Sequence, residues 1–358
     1  MIKSLLQCIR RGLAVFGVYR RRRAARQRRG ACRLTILMYH RIGCASPGNS
    51  RLSVSTARFE DHLRFLQSHY DILDMDTAVE LLRAGRSPQR NSVAITFDDG
   101  YADNVQNALP LLMKHEVPAL VYVVPGYVGT DKLFWWDRLG LVAEATIAAD
   151  GESLSNRSWY LGAVREIIER CGRDVGIAES VHALGDKFQT LEPAKRDLIL
   201  DEWEHSVAAH MDSAATSRHV TADWNALRQL AESRVDVGCH TVTHACLTML
   251  PPQAAKQEIE EARVLIETQV GLPVRHFAYP YGQAGYVSSV LPHMVQEAGF
   301  QSACLAIPGA CQGSGLFTLP RVYAGDFDTR DLEIQIERIR SPIVPPVPPA
   351  RPMESIHA

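Results

Sequence analysis

With 358 residues, 46% of them hydrophobic and 22% charged, the chain has the make-up of a folded globular protein of one large domain or two small ones. No uncharged apolar run of about 18 residues occurs, so no helical membrane span is expected. The formal net charge of −1 hides an asymmetry, because residues 1–33 carry eleven bases and no acid while the rest of the chain is acidic.

The basic start does not read as a secretory signal: Arg10 and Arg11 interrupt its apolar stretch and no small-residue cleavage site follows Tyr19. Leu5, Leu6, Ile9, Leu13 and Phe16 fall at helical spacing with arginines nearby, a pattern suited to lying on an anionic membrane surface; a solvated tail is the competing reading. Nothing aromatic or motif-like supports a nucleic-acid partner. The eight cysteines show neither CxxC spacing nor a compact disulfide framework, so reduced thiols are expected, with Cys239 as apolar filler. These features together give the expectation of a cytoplasmic protein, peripheral to the inner face of the membrane through residues 1–30.

Residues 34–40 read as a first buried strand ending in His40. A helix over 58–69, an extended piece over 70–75 and a helix over 77–84, ended by Gly85 and Pro88, follow. The next strand, over 93–97, drives a β-branched run straight into Asp98-Asp99-Gly100. Asp103 is expected to cap the turn before a helix over 105–116, and a strand over 119–124 stops at Pro125-Gly126. This alternation points to parallel α/β architecture. From about 131 to 220 the rhythm breaks into a mostly helical insertion with helices over 162–170 and 193–210. Its Trp135 and Trp136 are expected to anchor the insertion's own core; contact with sugar or lipid is the alternative. The alternation then resumes: helix 223–232, strand 235–239, helix 252–270, strand 275–279, helix 287–298, strand 302–306, an extended piece over 317–321 and a helix over 331–340. The proline-rich tail 341–358 is too poor in apolar side chains to pack.

Ligand-facing residues of α/β sheets sit at the carboxyl ends of strands, where Asp98 and Asp99 fall. Two adjacent carboxylates repel each other unless a cation or a shared proton separates their roles. His240 and His244 stand four residues apart just after another strand. Two imidazoles and one carboxylate make a facial set that leaves positions open on Zn²⁺ or a similar divalent ion. Such an ion lowers the pKa of a bound water to about 7 and polarises a carbonyl, which suits amide hydrolysis. One carboxylate is left to take the proton from that water.

Thr96-Phe97-Asp98-Asp99-Gly100-Tyr101 together with His240-Thr241-Val242-Thr243-His244 resembles the first two motifs of the polysaccharide deacetylase family, the chitooligosaccharide deacetylase homology domain, over about residues 34–130 and 221–330. The resemblance implies an irregular (β/α)7-type barrel and removal of acetyl groups from N-acetylated sugars. By motif position it makes Asp98 the general base and Asp99, His240 and His244 the ligands of a divalent metal, Zn²⁺ first. Tyr281, in Tyr279-Pro280-Tyr281-Gly282, matches the family tyrosine whose backbone N–H holds the oxyanion.

Two positions depart from the family pattern. Ala278 stands where an arginine often precedes the motif's prolines, and no late Leu-x-His strand supplies the acid histidine. Some branches are permuted, with that strand at the start, and Leu37-Met38-Tyr39-His40 fits it, which assigns His40 as general acid. Arg321 is then expected to hold the base carboxylate. The resulting expectation is a metal-dependent deacetylase of a polysaccharide or glycan precursor. The alternatives are an amidohydrolase of the same fold acting on a non-sugar amide or a lipid-linked aminosugar, and a glycan-binding protein that has lost catalysis.

Overall fold

A computed structural model describes residues 17–43, 51–149 and 177–339. The helix expected over 162–170, the first half of the basic start and the proline-rich tail lie outside the described residues. The frame is a parallel sheet of β1 (Leu34–Tyr39), β4 (Asp71–Ile72), β5 (Ser92–Phe97), β6 (Ala119–Val123), β7 (Val235–Cys239), β8 (His276–Ala278), β9 (Ser302–Cys304) and β10 (Arg321–Tyr323). Its strand order is β10-β1-β5-β6-β7-β8-β9, with β4 added at the start of β5; β2 (Arg41–Ile42) and β3 (Ser53–Val54) form a separate short pair. A parallel bridge from Cys304 to Leu319, and the Arg321 N–H donated to the Ile307 carbonyl, carry β9 back to the foot of β10. The ring is therefore nearly closed, an α/β barrel of seven strands, as expected.

Every residue of β1 and β5 is buried, which the apolar run of each strand requires when both faces are covered. One parity fills the interior: Leu34, Ile36, Ala94, Leu120, Tyr122, Ala278 and Cys304 share one cluster. The other parity, including Leu37, Val93, Ile95, Val121, Val237 and Phe277, packs outward into a second cluster with the surrounding helices. Because side chains alternate along a strand, the inward parity of β1, β5 and β7 runs on to His40, Asp98 and His240 at the carboxyl ends. In β10 the inward positions are Arg321, lying over the Tyr122 ring, and Tyr323, facing His40. Strand periodicity thus aims the polar side chains at one mouth.

Two local expectations are corrected. The segment expected as one helix over 105–116 opens as a π-turn, Asn104–Ala108, before the α-helix Leu109–Lys114. Pro110 is the cause, since its ring cannot donate to, and would clash with, the preceding helical turn. Asp103 makes no cap; its carboxylate accepts from Arg41 Nε at 2.9 Å and from the Ile42 N–H at 3.1 Å. A buried guanidinium outcompetes a helix N–H for that carboxylate.

Part of the basic start is also not free. Helix Val18–Arg28 packs on the barrel with Tyr19 and Arg23 buried. Arg23 donates to Glu333 at 2.9 Å and to the Tyr70 hydroxyl at 3.1 Å, and Arg26 pairs with Glu337.

Helices Trp135–Ala148, Ile177–Phe188 and Pro193–Val207 share a separate core built on Leu139, Val142, Leu184, Leu200 and Trp203. The loop after β6 then runs against the loop after β7. A Cβ added at Gly126 would lie 2.5 Å from the Val242 carbonyl oxygen, to which the Gly126 N–H donates at 2.9 Å. Gly126→Ala is therefore expected to destabilise the fold by about 2 kcal/mol and to displace residues 240–244; urea unfolding and divalent-metal affinity measured on the same variant check both.

Candidate metal centre and active site

Asp98 and Asp99 are adjacent and buried, yet they face different partners. Arg321 reaches across from β10 and grips Asp98 with both terminal nitrogens, Nη1 to Oδ1 at 2.6 Å and Nη2 to Oδ2 at 2.7 Å. Its Nε donates to the Leu305 carbonyl at 3.0 Å and Nη1 also reaches Thr96 Oγ1, so the planar guanidinium is fixed on every side. Burial by itself would raise the Asp98 carboxyl, but Arg321, with His240 and His40 nearby, holds it at about 2. Arg321 opens β10 rather than ending the extended piece before it. Pro320 lacks the N–H a ladder needs, so pairing with β1 begins one residue later.

Asp99 turns away because its backbone is left-handed, at φ 73°. Its Oδ1 lies 3.7 Å from His240 Nε2 and 3.4 Å from His244 Nε2. One donor atom from each residue falls within 4.8 Å of the others, a spacing that fits a shared ion. The orientation fits too. His240 Nδ1–H donates to the Ala278 carbonyl at 2.7 Å, which leaves the Nε2 lone pair for a metal. Burial, followed by the Asp98 and Asp137 charges, pushes the Asp99 carboxyl well above its ordinary range. Burial, followed by His240, pushes the His244 imidazole well below its own. Two neutral imidazoles and a carboxylate short of positive charge are the donor set a divalent ion satisfies.

The loops that carry these ligands are strained. Thr241, His244 and Tyr281 join Asp99 among the non-glycine residues with left-handed backbones, each costing on the order of 1–3 kcal/mol. The surroundings hold them in place. Glu258, on helix Pro252–Val270, accepts from the Val242 and Thr243 N–H groups, both at 2.9 Å, and from the Thr243 hydroxyl at 2.7 Å. The Tyr281 N–H has no acceptor among the described residues, and Tyr281 lines the same cavity as the ligands. His40 lines it as well. Burial first, then Arg321 and His240 against the opposing pull of Asp98, lower its imidazole to about 4, and its Nδ1 has no partner among the described residues.

A family model described as polysaccharide deacetylase matches residues 85–166 and 200–303, together more than half of the chain. The chain belongs to the polysaccharide deacetylase family. Bacillus subtilis YxkH, whose name assigns it provisionally to the same deacetylases, is 33% identical over 125 residues, covering 35% of this chain and 43% of that one. A poly-β-1,6-N-acetyl-D-glucosamine N-deacetylase of Staphylococcus aureus is 35% identical over 80 residues, covering 22% of this chain and 27% of that one. The chain thus spans less than half the length of these two relatives. Among solved structures, the Streptococcus pyogenes deacetylase PplD superposes with a TM-score of 0.55 at 16% identity, covering 85% of this chain and 98% of that one. IcaB from Ammonifex degensii superposes at 0.52 and 18% identity, covering 86% and 96%. At such identities these superpositions speak for the deacetylase barrel as a fold.

The structure brings all seven residues singled out in the sequence to one mouth: His40, Asp98, Asp99, His240, His244 and Tyr281 line a cavity of about 460 Å³, and Arg321 backs Asp98 beneath it. The sequence reading missed the residues that clasp the helical insertion to this mouth. Trp135 Nε1 donates to the Tyr281 hydroxyl at 2.9 Å, and Trp136 Nε1 to the Tyr101 hydroxyl at 2.8 Å. Tyr101 in turn donates to Asp137 at 2.6 Å. His219 stands 2.7 Å from Asp137 and 2.8 Å from Arg41, whose guanidinium lies 4.4 Å over the Tyr101 ring. Trp135 enters the insertion core and Trp136 packs against it, as expected; Trp136 also stacks on Phe134 at 4.6 Å and meets the His244 ring edge-on at 4.8 Å. An Asp two residues after a Phe-Trp pair was the visible signal, but its partners lie far away in sequence.

Metal binding has to strip the proton from the raised Asp99 carboxyl. Apparent affinity for Zn²⁺ should therefore climb as pH rises, with protons released on binding. Calorimetry in two buffers of different ionisation enthalpy checks this: an affinity that does not change with pH would show that binding displaces no proton, and Asp99→Asn with undiminished affinity would remove Asp99 from the ligand set. Asp137→Asn uncouples a buried charge from Tyr101, His219 and Arg41, and is expected to cost about 3 kcal/mol in urea unfolding.

Proposed function

We propose that this chain is a divalent-metal-dependent N-deacetylase of a poly-N-acetylglucosamine type of polysaccharide. The observation that carries the reading is the division of labour in one buried acid pair: Asp98 clamped ionised by Arg321, and Asp99 turned to two imidazoles freed to bind metal. A binding protein has no use for both. The substrate class is supported by the name of the staphylococcal relatives and by membership of the family.

When bound, a divalent ion supplies a water of lowered pKa and an electrophile for the acetyl carbonyl. The chain's own groups do the rest. Asp98 accepts the proton from the attacking water at a carboxylate oxygen, while Arg321 keeps that carboxylate in place and charged until then. The Tyr281 backbone N–H donates to the oxygen on which charge develops. His40 gives a proton to the departing nitrogen as the C–N bond breaks, leaving acetate and a free amine. With its imidazole held low, His40 is short of that proton until the attacking water has given one up, so the net transfer is of one water proton to the amine nitrogen. Trp136 and Tyr281 line the mouth and give a sugar ring aromatic surface to pack on.

Acetate release from β-1,6-linked N-acetylglucosamine oligomers, with metal content measured on the same samples, tests the assignment. Asp98→Asn should keep the metal and lose turnover by about 10²- to 10⁴-fold. Asp99→Ala and His240→Ala should lose metal and activity together. An Asp98→Asn enzyme with near-normal turnover would exclude the base, and metal-loaded protein that releases no acetate from any N-acetyl glycan would exclude the function.

A further inference from the structure

We infer that helix Val18–Arg28 is a docking face for an anionic lipid surface, and that docking there leaves the metal-site mouth open to solvent. The inference rests on charge and topology and does not depend on the deacetylase reading. This helix carries six arginines and no acid, and its two sides are used differently. Arg23 and Arg26 point into the body and are neutralised by Glu333 and Glu337, with Arg23 lying 4.9 Å over the Tyr70 ring. Arg20, Arg21, Arg22, Arg28 and the adjoining Arg29 are exposed, and none of them pairs with a carboxylate among the described residues.

A solvated charged tail has no fixed shape, whereas this one is bolted to the barrel by buried ion pairs and presents five guanidinium groups that no carboxylate among the described residues neutralises, with Arg22 5.9 Å over the Tyr19 ring. Extended anionic surfaces bind such arrays, each base near the surface raising partition roughly fivefold. The sequence just before it alternates Leu5, Leu6, Ile9, Leu13 and Phe16 with Lys3, Arg10 and Arg11. That apolar content favours a bilayer over a nucleic acid, which offers phosphates but no hydrocarbon.

Position decides what the docking does. The helix touches Tyr70 just before β4, Asn91 just before β5, and helix Thr329–Glu337; Arg33, just before β1, holds the Ile339 carbonyl. Those are the amino ends of the strands. His40, Asp98 and His240 follow the carboxyl ends of theirs, about 20 Å away across six residues of strand. A lipid surface on the helix therefore faces the foot of the barrel, and the mouth opens toward the water. Such an arrangement suits a glycan that comes to the enzyme from solvent, and it disfavours a sugar held at the headgroup level of the same membrane.

The test uses the full chain with vesicles of phosphatidylglycerol and phosphatidylcholine, and with phosphatidylcholine alone. Sedimentation should show binding to the anionic vesicles only, weakening as salt is raised. The combined variant Arg20→Glu, Arg21→Glu, Arg22→Glu should bind at least about 100-fold more weakly, with its melting temperature and metal affinity unchanged. Hydrogen exchange on the vesicle-bound protein should protect residues 18–29 and leave 240–246 and 279–283 as they are in solution. Equal binding of the variant, equal binding to uncharged vesicles, or a preference for duplex DNA over the anionic vesicles would overturn the docking face. Protection of the mouth loops would overturn the orientation.

Discussion

Two neighbouring carboxylates buried at a strand end cannot share one environment, and the site is arranged around that constraint. Each needs its own positive charge, and the backbone supplies the separation. Asp98 stays on the inward parity of β5 and meets Arg321, while the left-handed turn at Asp99 sends the next side chain toward β7 and its histidines. The pKa consequences are opposite. Arg321 is part of the protein and holds its partner ionised, whereas Asp99 faces imidazoles that burial keeps neutral. One residue type, repeated once, meets two opposite environments because of what it is pointed at: an ion pair for Asp98 and two neutral imidazoles for Asp99.

This is also why so much of the site was legible in the sequence. Strand parity and the rule that ligand-facing residues follow the carboxyl ends of strands together place His40, Asp98 and His240 at one mouth, and both can be read from a short apolar run and the polar residue after it. Arg321 was reached through the family resemblance: the motif that often carries an arginine has Ala278 here, and Arg321, at the end of an extended piece, was the replacement expected to hold the Asp98 carboxylate. The structure puts that cation on the strand next to β1, and it changes the local detail, because Pro320 delays the start of the ladder.

What the sequence hid comes from partners with no periodic relation to the motifs. Glu258 sits mid-helix, where an acid ordinarily means a solvated face, yet it accepts three hydrogen bonds from the strained His240–His244 loop. Asp137 lies in an insertion that shares no sheet with the barrel. Asp103 reads as a helix cap, and is instead joined with Arg41 in a buried network reaching from the start of the barrel to the insertion. Local propensity cannot announce such contacts, because the free energy that selects them is the cost of leaving a buried charge unpaired.

The same clasp ties the insertion to the chemistry. Trp135, Trp136 and Asp137 are consecutive, and between them they bind the hydroxyls of Tyr281 and Tyr101, which belong to two different motif loops. A one-residue shift in that helix would release both tyrosines together and remove Trp136 from the edge of His244. The insertion is therefore more than a cover over the mouth, since the packing around His244 is supplied by a segment outside the barrel. Its other contribution is space: a second cavity of about 1000 Å³ shares Trp135, Gln189, His244 and Tyr281 with the first, so His244 stands where two chambers meet while Asp99 and His240 line the smaller one. The insertion thus walls both chambers, through Trp135 and Gln189, and meets the barrel at the His244 and Tyr281 side chains that the two share.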